Sequence, residues 1–522
     1  MAVISVWVSR RTDVFAVGAL LLACLGFFAW RAWHGMWFGL FGDESLHFIG
    51  AQVISQGGIL YRDFIELHGP VAYALPQLYG ALFGWVEPLH ARIIPISMTL
   101  VAATALARCA ALRDVVERML APALFLGLIA TVWIVQTLNM ANYQPEAGTL
   151  LLVGFALFTY PAWFDVQIGA ASLFFGGFCL ALACFTALSY GPAALLFAAS
   201  GAWGVIRSKR RAGLMQFASG GFTAVLVMLI WLLRYADIRG YLTLHFVENL
   251  IDFRPYQTIN KTNALTILWQ PLQSSSLVEA MGSAAGLIAL AATFASLGLK
   301  RCAPLLIGAA GLILTNPRGS PIFQNDAFVI TTFGFCALSL AQLPRRLGFD
   351  TRYGNHLAWI AAAAVIVIGS EATARHAVTA LGNYTRDQMR QVPFASLAQS
   401  DDVWAQKIRQ VTALNERILA LPYSPNVYLL AGRLPMERYV YFLPWDADYA
   451  RHPVLGLTHD ICTDLPRDLP VVIFYNGLSV WGKYDPAKYM PCLLPILATQ
   501  YHPIRGAPNY YVRADRAARL TK

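Results

Sequence analysis

Charge is what this chain has least of. Only 13% of its 522 residues are charged, against 57% that are hydrophobic. A soluble enzyme of that length carries about twice as much charge, so a water-coated globule is excluded and a bilayer is the natural solvent. Cysteine is scarce outside apolar runs: Cys24, Cys109, Cys179, Cys184, Cys302 and Cys336 lie in or beside them, where a thiol behaves as a small hydrophobe. Cys462 and Cys492 alone fall in the polar tail, and in an oxidising compartment that isolated pair is expected to form a disulfide. The sequence has no Walker motif, inverted repeat, low-complexity tract or coiled-coil heptad. The net charge of +10 is spread over short basic clusters between apolar runs rather than one continuous face, which excludes a nucleic-acid partner. Arg10 and Arg11 precede an apolar run, but no small-residue cleavage site follows Trp30 and Trp33, so the first helix reads as uncleaved.

Spanning the hydrocarbon core takes roughly 20 apolar residues in a helix, and about eleven segments qualify on that basis. The first seven run from Val14 to Trp30, Ile93 to Ala111, Met119 to Leu138, Gly148 to Phe164, Val166 to Leu188, Pro192 to Ile206 and Leu214 to Leu233. The rest cover Leu277 to Leu299, Ala303 to Leu314, Ala327 to Leu343 and Leu357 to Gly369. A further stretch, Val71 to Trp85, is amphipathic and interrupted by Pro76, which fits a helix that either spans or lies in the interface. If it does not span, every strongly basic connector falls on one side, and positively charged loops stay cytoplasmic. The Met36 to Arg92 loop, the Asn142 to Glu146 loop, the Asp237 to Ser276 loop, the Asn316 to Asn325 loop and everything after Glu371 then face outward.

The expected fold class is an all-α polytopic membrane bundle, with juxtamembrane helices in the first outer loop and a small C-terminal α/β domain outside the cytoplasm. The boundary falls between a membrane module, residues 1–371, and a soluble tail, residues 372–522. In the tail, an amphipathic helix is expected from Val403 to Leu421, with strands at Asn426 to Leu430, Tyr439 to Phe442, Pro470 to Tyr475 and Tyr510 to Arg513. This arrangement suits a bacterial inner membrane with the active site on the periplasmic side.

The most informative stretch is Phe41-Gly-Asp-Glu-Ser-Leu-His-Phe48, followed by Tyr61-Arg-Asp-Phe-Ile-Glu-Leu-His-Gly-Pro70. Asp43, Glu44, Asp63 and Glu66 form an acidic group that Arg62 only partly compensates, costly so close to lipid. A carboxylate there can act as general base for an incoming hydroxyl or amine. Asp43-Glu44 with His47, the Gly58 and Tyr61 spacing, Asp63 and His68-Gly-Pro70 resemble the first outer loop of the GT-C glycosyltransferases, closest in pattern to the protein O-mannosyltransferase and lipid A aminoarabinose transferase branch. The pattern departs at Gly69, where a proline is usual, and His47 falls one residue late. Asn142-Tyr-Gln-Pro-Glu146 is similar to the family's second acidic element, which brings in Tyr143 and makes Glu146 its counterpart. Ser189-Tyr-Gly-Pro resembles a Lys-Gly-Pro element with Tyr190 in place of the lysine.

The resemblance implies a sugar donor linked to polyprenyl phosphate, an envelope glycolipid, polysaccharide or protein as acceptor, and inversion at the anomeric carbon. Asp43, Glu44 and Glu146 become the catalytic candidates. His47, Arg62, Asp63, His68, Tyr143 and Asn249 become substrate-binding candidates, with Arg254 and Arg318 placed by location to meet the donor phosphate. No closed set of metal ligands is formed, no cofactor is implied with certainty, and a divalent ion between Asp43 and Glu146 stays open as an alternative. Each feature has a plainer reading. Asp43 and Glu44 can cap a helix, Glu146 can complement a helix dipole, the histidines can bond at the interface, and the arginines can snorkel to headgroups. A transporter or lipid flippase is the alternative function, although midplane charge and paired broken helices are missing from the sequence. An envelope scaffold that binds through its tail would leave Asp43-Glu44 idle.

Overall fold

Each predicted span that falls on described residues coincides with a helix in the computed structural model. That model describes residues 2–36, 43–85, 91–133, 138–164, 166–208, 212–256, 306–307, 310, 326–346 and 403–520. The spans expected at Leu277 to Leu299 and Leu357 to Gly369, and nearly all of Ala303 to Leu314, lie outside them. By packing, the chain divides into two compact units, neither a single stretch. One comprises Met1–Met36, Ile93–Met228 and Ile259–Met389, the other Trp37–Arg92, Leu229–Thr258 and Arg390–Lys522.

The first unit is a helix bundle of Ala2–Met36, Ile93–Ala107, Val115–Val132, Tyr143–Gly154, Ala170–Ala183, Gly191–Arg207, the start of Ala212–Tyr235, and Asp326–Arg346. Tyr143–Gly154 continues as a π-helical turn, Phe155–Thr159, before Pro161 starts a short 3₁₀ turn. Without a hydrophobic drive between helices in lipid, close packing of small residues holds such bundles together. A Cβ on Gly148 would stand 2.6 Å from the Ala327 Cα, and one on Gly220 would stand 1.9 Å from the Phe174 carbonyl oxygen. Phe15, Leu22, Met215 and Phe222 point outward, fully compatible only with an apolar solvent. Four described segments, Asp13–Met36, Val115–Val132, Gly213–Tyr235 and Asp326–Leu343, are long and apolar enough to cross a membrane.

The second unit joins Trp37–Arg92 and the Leu229–Thr258 segment to the tail. Its juxtamembrane helices are Asp43–Ser55 and Val71–Phe83, each of 13 residues. At 1.5 Å per residue each is about 20 Å long, short of the roughly 30 Å a span needs. The sheet has the order β1-β2-β4-β3, with β1 (Leu419–Leu421), β2 (Val472–Tyr475), β3 (Tyr501–Pro503) and β4 (Tyr510–Arg513). β1 runs parallel to β2, pairing Ala420 with Phe474, and the other pairs are antiparallel. Leu419, Leu421, Phe442, Ile461, Ile473 and Leu497 form its core.

The strand expected at Pro470 to Tyr475 is present as Val472–Tyr475 and the one at Tyr510 to Arg513 is present as expected, whereas two others are corrected. Asn426–Ala431 is a helix, started after Pro425 and ended by Gly432 at φ 63°, a left-handed position suited to glycine. Tyr439 to Phe442 carries no strand beyond a single bridge from Met436 to Tyr439. The amphipathic helix stops at Val411 rather than Leu421, because the fully buried Leu419–Leu421 segment joins the sheet. Cys462 and Cys492 are disulfide-bonded, their Cα atoms 5.5 Å apart.

Candidate functional site

The predicted acidic loop is built around a strained turn. Tyr61 is fully buried at φ 63°, a conformation that costs a bulky residue about 1–3 kcal/mol. Its hydroxyl donates to the His68 carbonyl at 2.7 Å, and its N–H donates to the Phe64 carbonyl at 2.9 Å. Gly240 closes the turn from outside, since a Cβ there would stand 2.2 Å from the Tyr61 oxygen. The Ile59 N–H donates to Asp63 Oδ2, and the Arg438 N–H donates to the Asp63 carbonyl, both at 2.8 Å. The exposed Arg62 donates to both Asp63 oxygens, at 2.8 and 2.9 Å, and its guanidinium holds that carboxyl below the usual range. Arg62 and Asp63 therefore brace the turn.

Within this frame the two adjacent carboxylates have different environments. Glu44 is fully buried and bound at both oxygens by Arg92, Nε to Oε1 at 2.8 Å and a terminal nitrogen to Oε2 at 2.6 Å. Such a buried bidentate pair fixes the carboxylate in place. Asp43, half-buried one residue earlier, accepts from the Tyr423 hydroxyl at 2.5 Å. Ser45 donates to Asn426 at 2.5 Å, so the tail reaches the first turn of the Asp43–Ser55 helix twice.

Glu66, named in the acidic group but not among the site residues, gathers the densest set of donors. Oε2 accepts from the Tyr73 hydroxyl at 2.5 Å and the His68 N–H at 2.6 Å, while Oε1 accepts from Tyr441 at 3.1 Å and pairs with His68 Nδ1 at 2.7 Å. Burial alone pushes this carboxyl up, but His68, Tyr73 and His47 outweigh it and bring it down to about 2. The His47 ring, fully buried, meets the rings of His68 and Tyr73 edge-on at 5.2 and 5.3 Å. Glu66 thus ties together His68, Tyr73 and Tyr441, and His47 packs against the first two.

The Leu229–Thr258 segment backs this cluster. Leu67 gives its carbonyl to Asn249 Nδ2 at 3.0 Å and to His245 Nδ1 at 2.9 Å. Burial pushes the His245 imidazole down to about 4, so it is neutral at pH 7. Burial, and after it the neighbouring Asp446, push the Glu248 carboxyl up. Asp252 pairs with His452 at 2.8 Å. Arg254 is exposed at the end of the segment, and Arg318 lies outside the described residues.

Glu146 and Tyr143 belong to the helical unit. Glu146 is buried in the first turn of its helix, and neither oxygen has a hydrogen-bond partner among the described residues. The Tyr143 and Tyr190 rings come within 6.4 Å, so the Asn142-to-Glu146 and Ser189-Tyr-Gly-Pro elements meet. Among the described residues, no group of three or more His, Cys, Asp or Glu side chains is placed to hold a metal ion.

With four described segments long and apolar enough to cross a membrane, the chain is an integral membrane protein. The chain is similar in fold to ArnT, the lipid A aminoarabinose transferase, from Cupriavidus metallidurans, solved bound to undecaprenyl phosphate. That match covers 96% of this chain and 98% of ArnT at 12% identity with a TM-score of 0.57. The apo form of ArnT matches over the same shares at 12% identity with a TM-score of 0.52. The Archaeoglobus fulgidus oligosaccharyltransferase is a more distant likeness, with a TM-score of 0.41 at 12% identity over 82% of this chain and 62% of that one. No protein-family model and no curated protein sequence matches the chain.

Proposed function

We propose that the chain is a glycosyltransferase that moves a sugar from a polyprenyl-phosphate-linked donor to an envelope glycolipid, polysaccharide or protein at the outer, periplasmic face of the bacterial inner membrane. The observation that carries this reading is the division of labour between neighbouring carboxylates. Glu44 is locked by Arg92 and Glu66 by its four donors, while among the described residues Asp43 has only the Tyr423 contact on Oδ1. Glu44 is a positioning residue here, fixing the helix turn that presents Asp43.

In the proposed step, Asp43 takes the proton of the acceptor hydroxyl or amine as that nucleophile attacks the anomeric carbon. The bond from that carbon to the phosphate oxygen breaks, its electron pair leaves with the phosphate, and the anomeric centre inverts. His68 stands where the resemblance puts a cationic residue. With Nδ1 held by Glu66, protonation at Nε2 gives an imidazolium able to stabilise the departing phosphate. His47, Asn249 and the Arg62–Asp63 turn hold this loop in place. In the helical unit, Glu146 and Tyr143 keep the catalytic and substrate-binding roles the resemblance implies, and a buried carboxyl with no hydrogen-bond partner among the described residues is costly enough to call for a function. Arg254 and Arg318 meet the donor phosphate on approach.

Mass spectrometry of envelope glycans and glycolipids from a deletion strain tests the proposal. A sugar that disappears, returns with the wild-type gene and does not return with Asp43→Asn supports it; an unaltered envelope profile in the deletion strain would sink it.

A further inference from the structure

The outer unit contains a cavity of about 810 Å³, lined by none of the residues of the Glu66 cluster. Gln52, Gln77, Trp85, Arg234, Tyr235 and Arg433 give it its chemistry, and no acidic side chain lines it. Arg433 is 9% exposed, and its guanidinium donates only to neutral oxygens: Thr412 Oγ1 at 2.8 Å, the Thr412 carbonyl at 2.9 Å and the Gly432 carbonyl at 3.0 Å. Arg234 is exposed and lies over the Tyr235 ring at 5.0 Å; neither arginine forms an ion pair among the described residues, and Glu416, the carboxylate that acts on Arg433 from a distance, is itself paired with Arg516. Two cations at the wall of a cavity that no acidic side chain lines make it a favourable place for an anion. Trp231 donates to Gln77 Oε1 at 2.8 Å, which sets the Gln77 amide nitrogen as a donor. Gly80 lets the Trp85 ring lie flush on its helix, because a Cβ there would stand 2.1 Å from that ring.

We propose that this cavity binds the headgroup of an anionic phospholipid. Arg234 and Tyr235 end the apolar span Gly213–Tyr235, which puts them at the depth where aromatic belts and basic side chains meet headgroups. On the helix whose Gln77, Gly80 and Ala81 line the cavity, Leu78, Leu82 and Phe83 are exposed and offer an apolar surface to acyl chains. The site is separate from the proposed transfer chemistry and does not depend on it.

The test is native mass spectrometry of the delipidated full-length protein, titrated with phosphatidylglycerol, phosphatidylcholine and inorganic phosphate. Both lipids carry a phosphodiester, but the choline cation of phosphatidylcholine cancels its charge and is repelled by two arginines, so phosphatidylglycerol should be favoured by about tenfold or more. Arg234→Gln should lose about tenfold in phosphatidylglycerol binding, and Arg433→Gln at least as much. Arg234 holds no other element in place, so it carries the test alone if the Arg433 variant fails to fold. Equal retention of the two lipids, unaltered phosphatidylglycerol binding by Arg234→Gln, or displacement of the lipid by an equal concentration of inorganic phosphate would each overturn the proposal.

Discussion

Replacing Glu66 with glutamine should loosen the outer unit more than any conservative exchange on its surface. The wild-type carboxylate is 2% exposed and accepts from Tyr73, Tyr441, the His68 N–H and His68 Nδ1. Glutamine puts an NH₂ where one oxygen stood, so at least one donor faces another donor and His68 loses its counter-ion. Breaking one side of a buried ionic set costs about 3–5 kcal/mol. Local opening, read by amide hydrogen exchange over residues 64–73 and 439–442, should therefore accelerate by a hundredfold or more, at about 1.4 kcal/mol per tenfold. Acceleration of less than about tenfold in both segments would refute this account of how Glu66 holds loop and tail together.

Arg92→Met should destabilise the outer unit by about 3–5 kcal/mol in chemical denaturation, because it leaves the Glu44 carboxylate buried alone, and Glu44→Leu with Arg92→Met should lose less than Arg92→Met by itself. Acid should weaken the same unit in two stages, read by near-UV circular dichroism during heating. His245, at about 4 in the fold against 6.5 when exposed, contributes stability that is full above pH 6.5 and lost as the pH falls toward 4. Glu66, at about 2 against 4.5, contributes stability that is full above pH 4.5 and lost as the pH falls toward 2, each displacement corresponding to about 3 kcal/mol. Reducing Cys462–Cys492, which closes a separation of 30 residues, should cost about 4 kcal/mol and lower the melting temperature of the tail.

The helical part of the fold was legible because lipid imposes one rule on sequence: runs of about 20 apolar residues with charge pushed to their ends. Asp43-Glu44 stood out as a candidate for a related reason, as ionisable groups so near a span are rarely idle. What the sequence left hidden is partnership. Arg92 lies 48 residues from Glu44, Tyr441 lies 375 from Glu66, and Tyr423 lies 380 from Asp43, with no periodicity to join them. The tail's secondary structure was harder still. Asn426 to Leu430 has strand composition, yet Pro425 and Gly432 fit it to a short helix, and Leu419–Leu421 became a strand only because β2 lies beside it.

The central claim is that Asp43 removes the proton of the acceptor. It is tested most directly by single-turnover transfer from a polyprenyl-phosphate-linked sugar to an envelope lipid extract, comparing the purified wild-type protein with Asp43→Asn after circular dichroism has shown both folded. A general base contributes about 10²–10⁴ in rate, so the variant should transfer at least about a hundredfold more slowly. Transfer by folded Asp43→Asn at the wild-type rate would contradict the account.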